Sequence, residues 1–294
     1  MPYLFLQRLP LGARYMLVSA LAFSVMSLFV KLVGEKGIPV LEIVAARSVV
    51  SLVISYISLK RLGISLLGQR KVLLVARGLA GFIALNCVFY ALTHLPLAEA
   101  TVIQYLHPMF TAVLALFFLK ERFSMATLAC LIMSFIGLLF VVRPNIAFST
   151  LSQPLDEIAV LAALAGAFGS AVAYVLVRSL GKSEHPLVIV LYFPLVSLPC
   201  SVLMLWNDFV MPQGVTWLYL LAVGVSTQVG QVALTRAMQT ETASRATSFA
   251  YLQVVFAIIL GLIFYQEVPN SGTITGAGFI IMAAYLNVLW HRKL

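Results

Sequence analysis

Long apolar runs, broken by short stretches of Gly, Pro and polar residues, make up almost the whole chain. A run of about 20 mostly apolar residues is what a helix needs to cross a hydrocarbon core. The chain supplies ten, at roughly 14–33, 40–59, 72–93, 97–119, 124–142, 157–178, 186–206, 215–238, 243–265 and 272–290. None has the strict alternation of a barrel strand, so each is expected to be an α-helix that satisfies its own backbone hydrogen bonds. Connections such as Gly34 to Pro39, Gly181 to Pro186 and Pro212 to Gly214 are short and made of helix breakers, which predicts antiparallel neighbours. The longest links are about 60–71 and 143–156, and the second separates two sets of five runs.

The two sets repeat each other. Tyr105, Leu106, Phe110, Leu116, Phe118 and Glu121 recur as Tyr251, Leu252, Phe256, Leu262, Phe264 and Glu267 at one constant offset, and Lys31, Gly34 and Pro39 are answered by Arg178, Gly181 and Pro186. The expected fold is therefore an all-α integral membrane protein of ten transmembrane helices, with five-helix repeats over 1–146 and 147–294 forming one membrane-embedded unit. A repeat of five crossings leaves the bilayer on the side opposite to its entry, so the two must be inverted. Secondary transporters use that arrangement to build one site open alternately to either side.

Composition agrees: 294 residues that are 62% hydrophobic and 10% charged cannot hide their apolar side chains in one soluble core. The formal net charge of +9 invites a nucleic-acid reading, but its placement answers to the bilayer. With the N-terminus inside, about fourteen Lys and Arg fall at inner ends and about three, Lys31, Lys36 and Arg143, at outer ends. Both termini are thus expected in the cytoplasm, the partner is the lipid bilayer, and no nucleic acid is expected. The first run reads as a retained helix rather than a signal peptide. Cys87, Cys130 and Cys200 lie inside spans without paired spacing and read as small packing residues.

The segments "AEATVIQYLHPMFTAVLALFFLKERFS" and "ASRATSFAYLQVVFAIILGLIFYQE" resemble the fourth and ninth spans of the drug/metabolite transporter superfamily, specifically its EamA-type members. The resemblance covers the whole chain. It implies a metabolite carrier with a central cavity between the halves, and it names no cargo. Family members often repeat a proline in the ninth span, whereas this chain has Val254 at the position matching Pro108. A symmetric pair of kinks therefore does not follow from the sequence.

Polar side chains facing lipid are costly, so those within spans are expected to point inward, to another helix or to a wet cavity. Candidate substrate-binding residues are Gln228 and Gln231 in span eight, Gln104 and His107 in span four, Asn86 and Tyr90 in span three, Gln253 in span nine and Tyr174 in span six. Neutral amides beside aromatic faces can bind a polar metabolite without trapping it. Smaller polar residues such as Ser24, Ser27 and Ser170 read as helix glue. His107 is either a proton carrier or a neutral histidine hydrogen-bonded in the bundle. Pro108 removes a backbone hydrogen bond and frees a carbonyl. Arg77 is expected to snorkel toward the inner interface, whereas Arg47 lies deeper and either binds helix-end carbonyls or meets an anionic group. Glu99, Glu121, Glu241 and Glu267 sit at span boundaries as caps or ion pairs, and no carboxylate stands at mid-bilayer, which favours exchange or facilitated diffusion over proton pumping.

Nothing in the pattern supports catalysis, a metal or a cofactor: His94, His107, His185 and His291 lack ligand spacing, and there is no nucleotide-binding Gly-rich Lys/Ser loop. The expectation is alternating-access efflux or exchange of amino acids or related small metabolites across an inner membrane. Uptake of a nucleoside-like or adenosyl compound is the alternative. A lipid-modifying enzyme would need clustered acids or histidines at one membrane face, and a channel would need a continuous polar lining. The sequence leaves oligomeric state open.

Overall fold

The computed structural model describes residues 9–95, 101, 103–121, 124–142, 156–205, 208–266, 269 and 271–291. Residues 143–155 of the expected 143–156 link, the repeat boundary at 146/147, and Glu99 and Glu267 lie outside the described residues. Every regular element among the described residues is helical: α1 Leu11–Gly34, α2 Val40–Arg61, α3 Lys71–His94, α4 His107–Phe118, α5 Met125–Val142, α6 Glu157–Leu180, α7 Pro186–Met204, α8 Thr216–Thr240, α9 Ala243–Ser248, a 3₁₀ turn Phe249–Tyr251, α10 Leu252–Tyr265 and α11 Ser271–His291. α9, the turn and α10 together make the ninth span, which yields the ten spans read from the sequence. The 24 residues of α1 extend roughly 36 Å at 1.5 Å per residue, enough for a hydrocarbon core of about 30 Å.

The helix contacts keep their pattern when the two repeats are exchanged. α1 packs on α8 as α6 packs on α3. α8 packs on α2 as α3 packs on α7, and α4 packs on α6 as α10 packs on α1. The pairs α2 with α7, α5 with α11 and α4 with α9 map onto themselves, so a pseudo-twofold axis runs between them. Where helices share no hydrophobic drive in lipid, close approach through small residues holds them together. A Cβ on Gly276 would lie 2.3 Å from the Gly137 carbonyl, so α5 and α11 touch backbone to backbone.

Buried carboxylates tie the connecting loops down. Glu184, 7% exposed, accepts the N–H groups of Gln69 (2.7 Å) and Arg70 (2.6 Å) just before α3 begins. At the opposite end of the bundle Glu42 accepts the N–H of Val210 at 3.0 Å, ahead of α8. Gly68, at φ +61°, is required beside Glu184: a Cβ there would sit 2.9 Å from Oε2.

The fourth and ninth spans break at matching places by different means. In the fourth, a turn at Tyr105–Leu106 precedes α4, and Pro108 occupies its first turn, where a missing N–H costs little. The carbonyl that Pro108 leaves free, four residues earlier at Gln104, accepts a hydrogen bond from His107 Nδ1 at 3.0 Å. In the ninth span the 3₁₀ turn Phe249–Tyr251 makes the break although Val254 replaces the proline. Tyr105 and Tyr251, equivalent in the repeat, stack across the axis with centroids 5.7 Å apart, and the Tyr251 hydroxyl donates to the Tyr105 carbonyl at 2.9 Å.

Candidate functional site

Three helices bring polar groups from both repeats to one recess. α2 contributes Arg47, Ser48 and Ser51; α7 contributes Val190, Phe193 and Pro194; α8 contributes Thr227 and Gln231. The cavity volume is about 10 Å³, room for roughly one water, so in this conformation the walls are nearly in contact. Pro194 stands inside α7 and has no N–H to offer the Val190 carbonyl one turn earlier, so an acceptor is released at the recess wall.

Two arginines converge on one aromatic ring. The guanidinium of Arg47 lies 5.1 Å from the Phe193 ring centroid, and that of Arg77, reaching in from α3, lies 5.2 Å from the same centroid. Arg77 Nη2 donates to Gln231 Oε1 at 3.2 Å, and Arg47 Nη1 touches only the Met26 sulfur, at 3.9 Å. Phe193 has room for its ring because Gly81 faces it: a Cβ there would meet Cδ2 at 3.0 Å. Arg47 Nε, Arg77 Nε and Nη1, and Thr227 Oγ1 are buried without a hydrogen-bond partner. Among the described residues the salt bridges are Arg178 with Glu121 and Arg245 with Glu241, and neither reaches this recess. An uncompensated buried ion carries an effective cost of several kcal/mol. The snorkelling role expected for Arg77 is overturned: its side chain is only 4% exposed and turns into the bundle, toward an acceptor on α8.

The other sequence candidates separate into distinct places. Gln231 lines the recess. Gln228 lies in the seam between α8 and α2, where its carbonyl oxygen accepts from Ser51 and its amide donates to Ser55 at 2.8 Å. Asn86 donates to the Phe82 carbonyl of its own helix at 2.8 Å. Tyr90 stacks on His94 toward the exposed end of α3, with centroids 4.1 Å apart. The Gln253 backbone carbonyl accepts from Ser24 at 2.9 Å.

Gln104, His107 and Tyr174 form a second polar group beside the Tyr105–Tyr251 stack. Gln104 reaches Ser170 at 3.4 Å, and the His107 ring meets Tyr174 edge-on at 5.4 Å. Since a carbonyl only accepts, His107 Nδ1 carries the proton toward Gln104, and Nε2 is buried without a hydrogen-bond partner.

A third cluster closes the end of the bundle where α1 begins. Glu121, just beyond α4, accepts from Arg178 Nε at 2.6 Å and from the Ala243 N–H at 2.8 Å, while Arg178 Nη1 donates to the Met238 carbonyl at 2.7 Å. One carboxylate thereby ties together α4, α6, α8 and α9. The boundary position of Glu121 suggested an ion pair from sequence alone, but its partner is 57 residues away and could not be named.

The repeat is matched by a family of known proteins: the model of the EamA-like transporter family fits residues 10–143 and again 157–289. The chain belongs to the EamA-like transporter family. This EamA-like protein is 34% identical over 273 residues to the pseudopaline exporter CntI of Pseudomonas aeruginosa, covering 92% of this chain and 94% of that one. It is 33% identical over 279 residues to human solute carrier family 35 member G1, covering 91% and 76%. A solved crystal structure shares the fold with a TM-score of 0.84 at 21% identity, over 96% of this chain and 98% of that one. The EamA-like protein is thus a multi-pass membrane transporter of small molecules and not an enzyme.

Proposed function

We propose that this protein is an alternating-access secondary carrier that exports or exchanges amino acids or related small polar metabolites across the cytoplasmic membrane, with both termini inside. The observation that carries the reading is the recess of α2, α7 and α8. It takes walls from both repeats and holds donors (Arg47, Thr227) and acceptors (Gln231, the released Val190 carbonyl) in one small volume. Such a mixed lining suits a compact metabolite with both kinds of group, admitted when the closely packed walls part. The similarity to an exporter supports the outward direction. Gln231 has a direct place in this reading; Gln228 shapes the path through its serine seam and Gln104, His107 and Tyr174 through the break ahead of α4, while Asn86, Tyr90 and Gln253 lie outside the recess in this conformation.

The test is an untargeted comparison of metabolites in medium and cells with and without the gene, followed by counterflow of the leading compound in proteoliposomes. A saturable exchange that persists when the pH gradient is collapsed supports a carrier without a proton-coupling acid. Absence of any metabolite difference, or flux that rises linearly without saturation, would refute it.

A further inference from the structure

Resting on the transport reading above, we infer that Arg47 and Arg77 form a carboxylate-binding subsite, and that the cargo is a small organic acid or amino acid whose carboxylate is held by the two guanidiniums that Phe193 supports. Both guanidiniums lie beside the same ring, both are at least nine-tenths buried, and no carboxylate among the described residues reaches them. Their open N–H groups, on Arg47 Nε and on Arg77 Nε and Nη1, match in capacity the roughly four lone-pair sites of an ionised carboxylate. The neighbouring hydroxyls add little: Ser48 is spent on Val44 and Ser197, Ser51 on Gln228, and only Thr227 remains. A phosphate group, with three strong acceptor oxygens and up to two charges, would outrun that supply of donors. Gln231 fixes the remaining Arg77 nitrogen, so the fork is oriented before the ligand arrives.

The repeat sharpens the assignment. At the offset that matches Pro39 to Pro186, Pro194 stands opposite Arg47, and both line the recess. The first repeat therefore presents a cation where the second presents a proline, whose missing N–H releases the Val190 carbonyl one turn earlier. Both cations come from the first repeat and the released acceptor from the second, so the bound molecule has a defined orientation, carboxylate toward the first repeat.

Benzoate is a direct probe, because it pairs a carboxylate with a ring for Phe193, and benzamide is its uncharged counterpart. The unfolding temperature of the detergent-solubilised protein should rise saturably with benzoate and not with benzamide or inorganic phosphate. Arg47→Gln and Arg77→Gln should each weaken the half-saturating concentration by about tenfold or more, the usual worth of a hydrogen bond to a charged group. Arg61→Gln, a change at the exposed end of α2, should leave it unaltered. Arg77→Lys keeps the charge and loses the fork, and should bind benzoate more weakly than the wild type if a glutamine variant does not fold.

No response to benzoate, an equal response to benzamide, a response to phosphate in its place, or an equal loss in Arg61→Gln would each overturn the subsite. Transport is scored separately: saturable counterflow of a cargo without a carboxylate sinks the subsite and leaves the carrier reading standing. Benzoate binding without any counterflow does the reverse.

Discussion

Replacing Glu121 by Gln should loosen the closed end of the bundle. Its carboxylate holds Arg178 at 2.6 Å and the Ala243 N–H at 2.8 Å, with the two charged side chains only 16% and 11% exposed. Hydrogen bonds to charged groups contribute about 1.5–3 kcal/mol and neutral ones about 0.5–1.5. Breaking a fully buried pair costs about 3–5 kcal/mol, and the residual exposure lowers that figure. The loss is therefore about 2–3 kcal/mol, confined to the conformation in which α4, α6, α8 and α9 meet. As each 1.4 kcal/mol is tenfold, the closed population should fall roughly 30- to 150-fold relative to the open one. The assay is thiol labelling of Thr227→Cys in the recess, with Cys87, Cys130 and Cys200 replaced, using an impermeant reagent applied from the end where α1 begins. Labelling should accelerate toward that range in Glu121→Gln. A loss of thermal stability by the same energy with labelling changed less than twofold would mean that the cluster holds the fold and not a gate.

Gln231→Leu should cut transport by tenfold or more with normal protein levels, since it strips the acceptor from Arg77. Gln228→Leu should instead lower the unfolding temperature, because Ser51 and Ser55 are left unpaired in a buried seam at about 1–3 kcal/mol; equal effects of the two changes on transport would contradict this division. Reporter fusions after Leu294 and within 143–156 should report opposite compartments, and matching compartments would break the ten-span topology. His185, ahead of α7, accepts the Leu187 N–H at 3.3 Å, and burial together with Arg236 lowers its pKa below the ordinary histidine value. The neutral ring is therefore the folded form: its contribution is complete above about pH 6.5 and is lost as pH falls through the lowered value. Unfolding temperatures at pH 7.5 and 5.5 should converge in His185→Asn, and an unchanged pH gap would exclude this group.

The spans and the repeat were legible because bilayer thickness imposes a length, and inversion imposes an odd count, on any chain of this kind. Side-chain destinations were less so. Arg77 lies close enough to Lys71 to read as an interfacial anchor, yet the acceptor that draws it inward is 154 residues away. Gln228 and Gln231 share one stripe of α8, but three residues rotate a helix far enough to send one into a serine seam and the other to the recess. The hydrogen bond of His107 was written locally: a proline orphans the carbonyl four residues before it, and a histidine beside it is in reach. For the ninth span the sequence carried no such mark, because a 3₁₀ turn needs no special residue.

That difference between the two breaks makes the machine lopsided. The break ahead of α4 is permanent, since Pro108 has no N–H with which to restore the missing bond. Phe249–Tyr251 keep all of theirs, so this turn can rewind into α-helix and back. Rewinding a 3₁₀ turn would shorten the rise per residue and rotate everything beyond it, an adjustment that the backbone donors leave open to the ninth span and that Pro108 denies the fourth.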